Sequence, residues 1–360
     1  MRMETVMDAN FERPSRRTAR SWTYFSLTLL ALSLFSPRPV VASSDDCLGC
    51  HAPKEEVVEV AHQVDPAKWA ASIHGQAGLE CTDCHEGNFD EVPHEGVVVP
   101  HCTNCHEEAG EQFKSSAHEQ IVLKEGESSP FGVNPCTACH GVHDVLPPDN
   151  PQSRVFFRNI PATCGRCHGD TKIIQLTGVN ANPPAQYETS VHGLDLSDPD
   201  KKPAVCSSCH GYHDIRLAKD PKSRINPFNI PSTCGQCHKE EAQTYLGSVH
   251  GVASQRGVTL APTCTTCHGM HTIAPVTQEA GGNKTSRRLV RTTCPACHQS
   301  AALISRFDIA AARVSTYEAS YHGLVSRRGG TNVADCASCH GIHNIYDSSD
   351  PRSTVAPQNL

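Results

Sequence analysis

The chain has 360 residues, with 20 Cys and 22 His, yet aromatics are 5% and charged residues 19%. Adding Gly to the apolar set gives about 45%, at the low end for globular chains, so something besides side chains must fill the interior. No apolar run reaches the length of a membrane span, which excludes a polytopic membrane protein for these residues, and a net charge of −7 makes nucleic acid a poor partner.

The first 42 residues have the layout of an export leader. Arg13, Arg16, Arg17 and Arg20 form a basic segment, Trp22 to Phe35 is apolar, and Val40-Val41-Ala42 supplies small residues for cleavage. Its loss leaves 25 basic and 35 acidic residues, net −10. The exported product is distinctly acidic and is expected in the periplasm. Membrane association or display at the cell surface would come through a partner or a further C-terminal region.

Beyond the leader, Asp65-Pro66 reads as an N-cap with Pro at the first helical position, opening a short helix to His74. Glu107–Ser116 and Lys239–Gly247 lack Pro and carry Glu early, as a helix start favours. Residues 299–321 form the longest helix candidate, while Pro183 and Pro184 interrupt 168–192. The linkers Asp149–Arg154 and Asp220–Arg224 read as extended loops. No sustained apolar/polar alternation marks a strand.

All twenty cysteines fall into ten copies of C-x-x-C-H: Cys47/Cys50, Cys81/Cys84, Cys102/Cys105, Cys136/Cys139, Cys164/Cys167, Cys206/Cys209, Cys234/Cys237, Cys264/Cys267, Cys294/Cys297 and Cys336/Cys339. The histidines that follow are His51, His85, His106, His140, His168, His210, His238, His268, His298 and His340. This is the spacing of c-type haem attachment. Two Cys three apart share one face of a helical turn, so both sulfurs reach one porphyrin edge and the next His swings under the ring toward iron. Disulfides or zinc would not require a His after every pair.

On these motifs the sequence resembles the multihaem cytochromes c from about Cys47 to His343. The resemblance implies a fold set by porphyrin packing, with short helices and loops wrapped around closely spaced haems. The expected class is mainly α with much irregular loop, an elongated multihaem cytochrome c of repeated two-haem modules with little or no β. The expected cofactor is ten covalent haem c groups with their iron. The expected division is 1–42 as leader, 43–112 as a three-haem segment, 113–185, 186–240 and 241–315 as two-haem modules, and 316–360 as an incomplete last module with one haem.

Twelve histidines remain after the ten proximal ones. Nine recur in two frames: S-x-H at His74, His118, His192, His250 and His322, and C-H-G-x-H at His143, His213, His271 and His343. Each is expected to ligate a haem other than that of its nearest motif. His143, three residues past His140, cannot reach round to the opposite face of the same ring. The tenth distal ligand is assigned to His94, whose Pro-flanked setting resembles multihaem chains, ahead of His62 and His101. Each distal His should face a foreign C-x-x-C-H site across the width of one haem. The only Met beyond the leader is Met270, so bis-His ligation and low potentials follow.

Internal repetition is strong: Asn-Ile-Pro-x-Thr-Cys-Gly occurs at Asn159–Gly165 and at Asn229–Gly235. The last unit runs from Cys336 through Asp350-Pro351-Arg352-Ser353 to Asn359-Leu360, and on this pattern the chain is expected to continue into an eleventh motif. The function expected is electron transfer along a chain of mostly bis-His haems in anaerobic or respiratory metabolism. Partners would be a quinol-oxidising membrane cytochrome and a periplasmic or outer-membrane reductase. The alternatives are a reductase of nitrogen or sulfur compounds with one open haem, and a self-assembling haem filament. No P-loop, G-x-G-x-x-G or free thiol nucleophile supports another chemistry.

Overall fold

Short helices follow one another with tight turns between them, and no strand occurs among the described residues. The computed structural model describes residues 43–53, 63–92, 94, 96–98, 100–120, 134–177, 182–274, 284–310, 312–330 and 332–360. All belong to the second of two units, Met1–Val41 and Ala42–Leu360. The leader and His62 lie outside the described residues. No described helix is long and apolar enough to cross a membrane.

The buried set matches the composition. Its apolar members are few and small, among them Ile160, Val205, Ile230, Val314 and Ala356, and its most completely buried side chains are serines: Ser72, Ser116, Ser190, Ser223 and Ser248. Such a set forms no continuous hydrophobic core. The protein is mainly α, with irregular connections.

Four of those serines, Ser72, Ser116, Ser190 and Ser248, explain the S-x-H frame. The expected helix to each of these histidines does not run through. It stops at the serine, which sits in extended backbone and caps a new helix with the His at its second position. Thus Pro66–Ala71 gives way to Ile73–Gln76, Pro183–Glu188 to Val191–Asp195, and Lys239–Leu246 to Val249–Gln255. Ser72, Ser190, Ser248 and Ser320 Oγ accept from the N–H of Gly75, Gly193, Gly251 and Gly323 at 3.0, 3.1, 3.1 and 3.2 Å. Glycine is needed at that third position because a Cβ would strike a carbonyl oxygen of the preceding helix: Trp69, Tyr187, Tyr245 or Tyr317. In the fifth copy Ser116 caps Ala117–Gln120 through the Glu119 N–H.

Three other expectations change. Residues 299–321 are two helices before the capping serine, Ala301–Phe307 and Arg313–Ala319, because Asp308 adopts a left-handed conformation (φ 51°) that ends the first. The longest described helix is instead Lys284–His298, which takes in the ninth C-x-x-C-H motif and carries Pro295 inside it. The prolines at 183 and 184 interrupt one helix but start another, occupying the first turn of Pro183–Glu188, where proline is well tolerated.

The third change concerns the linkers, which are compact turns rather than extended. Asn159 Nδ2 donates to the carbonyls of Pro151 and Ser153, both at 2.8 Å. Asn229 does the same to Pro221 and Ser223, and Asn359 to Pro351 and Ser353. The buried Ser153, Ser223 and Ser353 hydroxyls return to the carbonyls of Leu146, Arg216 and Tyr346. One asparagine and one serine per linker satisfy backbone groups that the prolines leave without a ladder.

Candidate haem-binding site

The motif cysteines lie on one helical turn, or on the hydrogen-bonded turn that continues it, with or just before the proximal His. The helices Cys206–His210, Cys264–His268 and Cys336–His340 are each five residues long and span the motif alone. In the C-H-G-x-H copies the next residue is Gly141, Gly211, Gly269 or Gly341, at φ 91°, 89°, 83° and 78°. This backbone region strains a residue with a Cβ. The turn ends the motif helix and directs the second His away from the first.

The second histidines then meet foreign motifs. His143 faces His85, with ring centroids 6.1 Å apart, and His213 faces His140 at 6.0 Å. His271 faces His210 at 6.1 Å and His343 faces His268 at 6.0 Å. The S-x-H set does likewise: His74 with His106 at 6.1 Å, His118 with His168 at 6.2 Å, and His192 with His238 and His250 with His298, both at 6.3 Å. His94 faces His51 at 6.3 Å. His101, one of the two alternatives to His94, is exposed and precedes the short turn Cys102–Asn104 without a side-chain cap bond.

Nine pairs thus hold one separation, 6.0 to 6.3 Å, while their interplanar angles run from 11° to 60°. Rings packed directly on one another would fix angle as well as distance. Rings on opposite sides of one metal are free to twist about the ligand axis at fixed separation. A metal–imidazole bond is about 2 Å, and two such bonds plus the depth of the two rings give the observed spacing. The residues therefore fit an iron between each pair. The buried Nδ1 of His94 has no hydrogen-bond partner.

Burial also favours the ligating form of eleven of these imidazoles. It pushes His210 and His250 down to about 4, and lowers His85, His118, His140, His143, His168, His192, His268, His271 and His298. A neutral imidazole offers a lone pair to metal and a protonated one does not.

The two cysteines of a motif differ in exposure. Every first cysteine is half-buried. Among the second cysteines, Cys50, Cys84, Cys105, Cys139, Cys237 and Cys339 are exposed, and only Cys167, Cys209, Cys267 and Cys297 are half-buried. The physical reason is the packing of the first sulfurs. Those meet one another between motifs, so the residue three further on is left at the rim of the turn. An exposed thiol is still competent for attachment, because a thioether needs a sulfur in reach of the porphyrin edge and not a buried one.

The same sulfurs show how consecutive motifs meet. The first cysteines touch in five pairs: Cys47 with Cys81, Cys102 with Cys136, Cys164 with Cys206, Cys234 with Cys264, and Cys294 with Cys336. In the last four pairs the shared hydrogen bond draws one thiol down (Cys102, Cys206, Cys234, Cys336) and pushes its partner up. The second cysteines link one pair to the next. Loss of water around the sulfur raises Cys84, Cys139, Cys209 and Cys267 first, and nearby cysteines of the following motif, Cys102, Cys164, Cys234 and Cys297 respectively, raise them further. The ten motifs form one unbroken spatial series in sequence order.

Two parts of this arrangement are not evident from the motifs. The first is the N–H at the x of S-x-H, which donates to a carbonyl two residues past a C-H-G-x-H histidine. The bonds are Ile73 to Val145 at 2.8 Å, Ala117 to Ile215 at 2.6 Å, Val191 to Ile273 at 2.8 Å, and Val249 to Ile345 at 2.9 Å. The second is an aromatic residue three before each serine: Trp69, Phe113, Tyr187, Tyr245 and Tyr317. The three tyrosines donate to the carbonyls of Ala204, Pro262 and Ala334, two residues before a motif cysteine, at 3.0, 2.8 and 3.1 Å. The aromatic spacing could have been read from the sequence; the carbonyl partners could not.

No solved structure matches the chain. Residues 73–169 match the family model described as cytochrome c3. That stretch holds four C-x-x-C-H motifs, starting at Cys81, Cys102, Cys136 and Cys164, with His74, His94, His118 and His143 among them. The match supports a multihaem cytochrome c, and the family it points to implies covalently bound haem c.

Proposed function

We propose that the chain is a decahaem electron-transfer protein of the periplasm, serving anaerobic or respiratory metabolism. Each C-x-x-C-H motif binds one haem through two thioethers. The bound haems supply reversible one-electron chemistry at iron, with potentials set by ligands, hydrogen bonding and burial. The protein's part is to hold them in series and cap their irons. His51, His85, His106, His140, His168, His210, His238, His268, His298 and His340 are the proximal ligands. His94, His143, His74, His213, His118, His271, His192, His343 and His250 are the distal ligands of the first nine, in that order.

The nine cross-motif imidazole pairs carry this reading. A capped iron has no place for substrate but can still pass an electron, and ligands borrowed from neighbouring motifs tie successive haems together. Residues 1–42 serve as the export leader. The acidic surface left after its removal suits a basic redox partner and a salt-sensitive encounter, such as a quinol-oxidising membrane cytochrome or a reductase. A pyridine haemochrome assay with EPR of the ferric protein tests the proposal. Ten haems per chain, nine or more of them low-spin, is the expected result. Fewer than eight haems, or several high-spin irons, would sink it.

A further inference from the structure

The ten motifs follow one another in space, but charge is not spread evenly along them. Residues 43–112, with the first three motifs, hold 15 acidic and 2 basic residues, net −13. Residues 113–283, with the next five, hold 15 acidic and 14 basic, net −1. Residues 284–360, with the ninth and tenth, hold 5 acidic and 9 basic, net +4. An added electron makes a haem one unit more negative, so nearby negative charge opposes reduction and nearby positive charge favours it.

One cation of the third segment is placed against both of its motifs. Helix Arg313–Ala319 is fastened on two sides. Glu318 accepts from Gln299 Nε2 at 3.3 Å, one residue past His298, and Tyr317 donates to the Ala334 carbonyl at 3.1 Å, two residues before Cys336. Arg313 opens this helix, is exposed, and enters no ion pair among the described residues. Its charge reaches both proximal histidines: burial lowers His298 and His340, and Arg313 lowers each further. The acids nearby have their own donors. Glu318 is held by Gln299, Asp335 by Ser338 at the start of the motif helix, and Asp347 by Ser349.

This cation is not part of the common frame. Arg313 lies four residues before the anchoring aromatic, Tyr317. The residues four before Tyr245, Tyr187, Phe113 and Trp69 are Glu241, Pro183, Ala109 and Asp65. A helix forms in each of those copies without a base there, so the element does not need Arg313 in order to fold.

Resting on the decahaem reading above, we infer that Arg313 is a potential-setting residue shared by the haems of the ninth and tenth motifs, and that with the acidic first segment it gives the series a direction. Electrons move toward higher potential. The haems of the first three motifs, set among carboxylates, are the reducing side, and those beside Arg313 are the accepting side.

The test takes the purified, haem-loaded chain and counts haems first, so that a low count is a failure of the decahaem reading and not of this inference. Potentiometric titration, followed in the haem absorption bands, then compares the wild type with Arg313→Gln. Two of the ten electron equivalents should move to lower potential, each by about threefold in its reduction equilibrium, which is about 28 mV at 59 mV per tenfold for one electron. They should come from the upper end of the wild-type curve, and Arg313→Lys should restore it. Arg306→Gln, the same charge change on the helix Ala301–Phe307, should move that end less. No shift in Arg313→Gln, a shift at the lower end, or an equal shift in Arg306→Gln would overturn the inference. Salt gives a reading that needs no variant. Between about 0.01 M and about 1 M, screening of exposed charge should draw the two ends of the wild-type curve together. A spread that stays constant or widens would overturn it as well.

Discussion

Residues 245–251 and 317–323 carry the same local instructions: an aromatic, a capping serine three residues on, then x-His-Gly. Both fold alike, with Ser248 and Ser320 capping new helices and Tyr245 and Tyr317 anchored to carbonyls 17 residues on. Their surroundings differ. Ser248 is 1% exposed, Val249 is bonded to Ile345, and His250 faces His298. In the later copy Tyr321 and His322 are exposed, and no imidazole among the described residues faces them. The helix, cap and turn are therefore properties of the segment. Ligand pairing is a property of the neighbour it meets.

The sharpest way to break this comparison is through the ligands. His213→Ala should open the iron at His140, converting one low-spin haem per chain to high-spin with CO uptake, whereas His322→Ala should leave the spin count unchanged. Equal EPR changes in the two variants would mean that the imidazole pairing has been misread. Next in size are Gly251→Ala and Gly323→Ala. Each places a Cβ against the carbonyl of Tyr245 or Tyr317, an overpacking expected to cost about 1–3 kcal/mol. Thermal unfolding should show similar losses in both, because this clash is local.

Proline at the first helical position separates docking from local structure. Val249 and Tyr321 both follow a serine in extended backbone, at ψ 166° and 164°, which a following proline accepts. Val249→Pro removes the bond to Ile345 and should destabilise by about 1–3 kcal/mol; Tyr321→Pro should change the melting point little. Equal effects would show that the backbone bond between units contributes nothing. Tyr245→Phe, which removes only the hydroxyl on Pro262, should cost about 1 kcal/mol, measured by the same melts.

The smallest effect expected is on acid sensitivity of the linkers. Hydrogen bonding to Arg352 holds Asp350 down to about 2, and the Lys222 N–H with Arg216 lowers Asp220. A carboxylate depressed in the folded state contributes fully above its unfolded value, about 3.9, and loses that contribution as pH falls through the folded value. Amide-exchange protection in both linkers should therefore stay flat from about pH 8 to 5 and decline only below about pH 4. A decline centred near about pH 6 would point instead to a histidine.

Much of the site was legible early because C-x-x-C-H and the two second-His frames are short, rigid and repeated. His94, assigned ahead of His101 and of His62, which lies outside the described residues, faces His51. Helix boundaries were less legible. The serine in S-x-H was read as part of a helix's last turn, but its hydroxyl caps the next one. Asp308 was read through as helix because nothing in its neighbours announces the left-handed turn. Nor does the motif announce that Cys50, Cys105, Cys237 and Cys339 stand exposed while their partners three residues earlier are half-buried, since that depends on which sulfurs meet between motifs.

The sequence alone determined the cofactor chemistry, the motif helices, the glycine turns and the identity of nearly every facing histidine, since these depend on residues within a few positions of one another. The tertiary structure decided which imidazole meets which, and that first cysteines meet in consecutive pairs. It also decided that the N–H beside each S-x-H histidine is the joint between units. Those partners lie tens of residues apart, and the fixed 6.0–6.3 Å gap between facing imidazoles is set by what must fit between two rings.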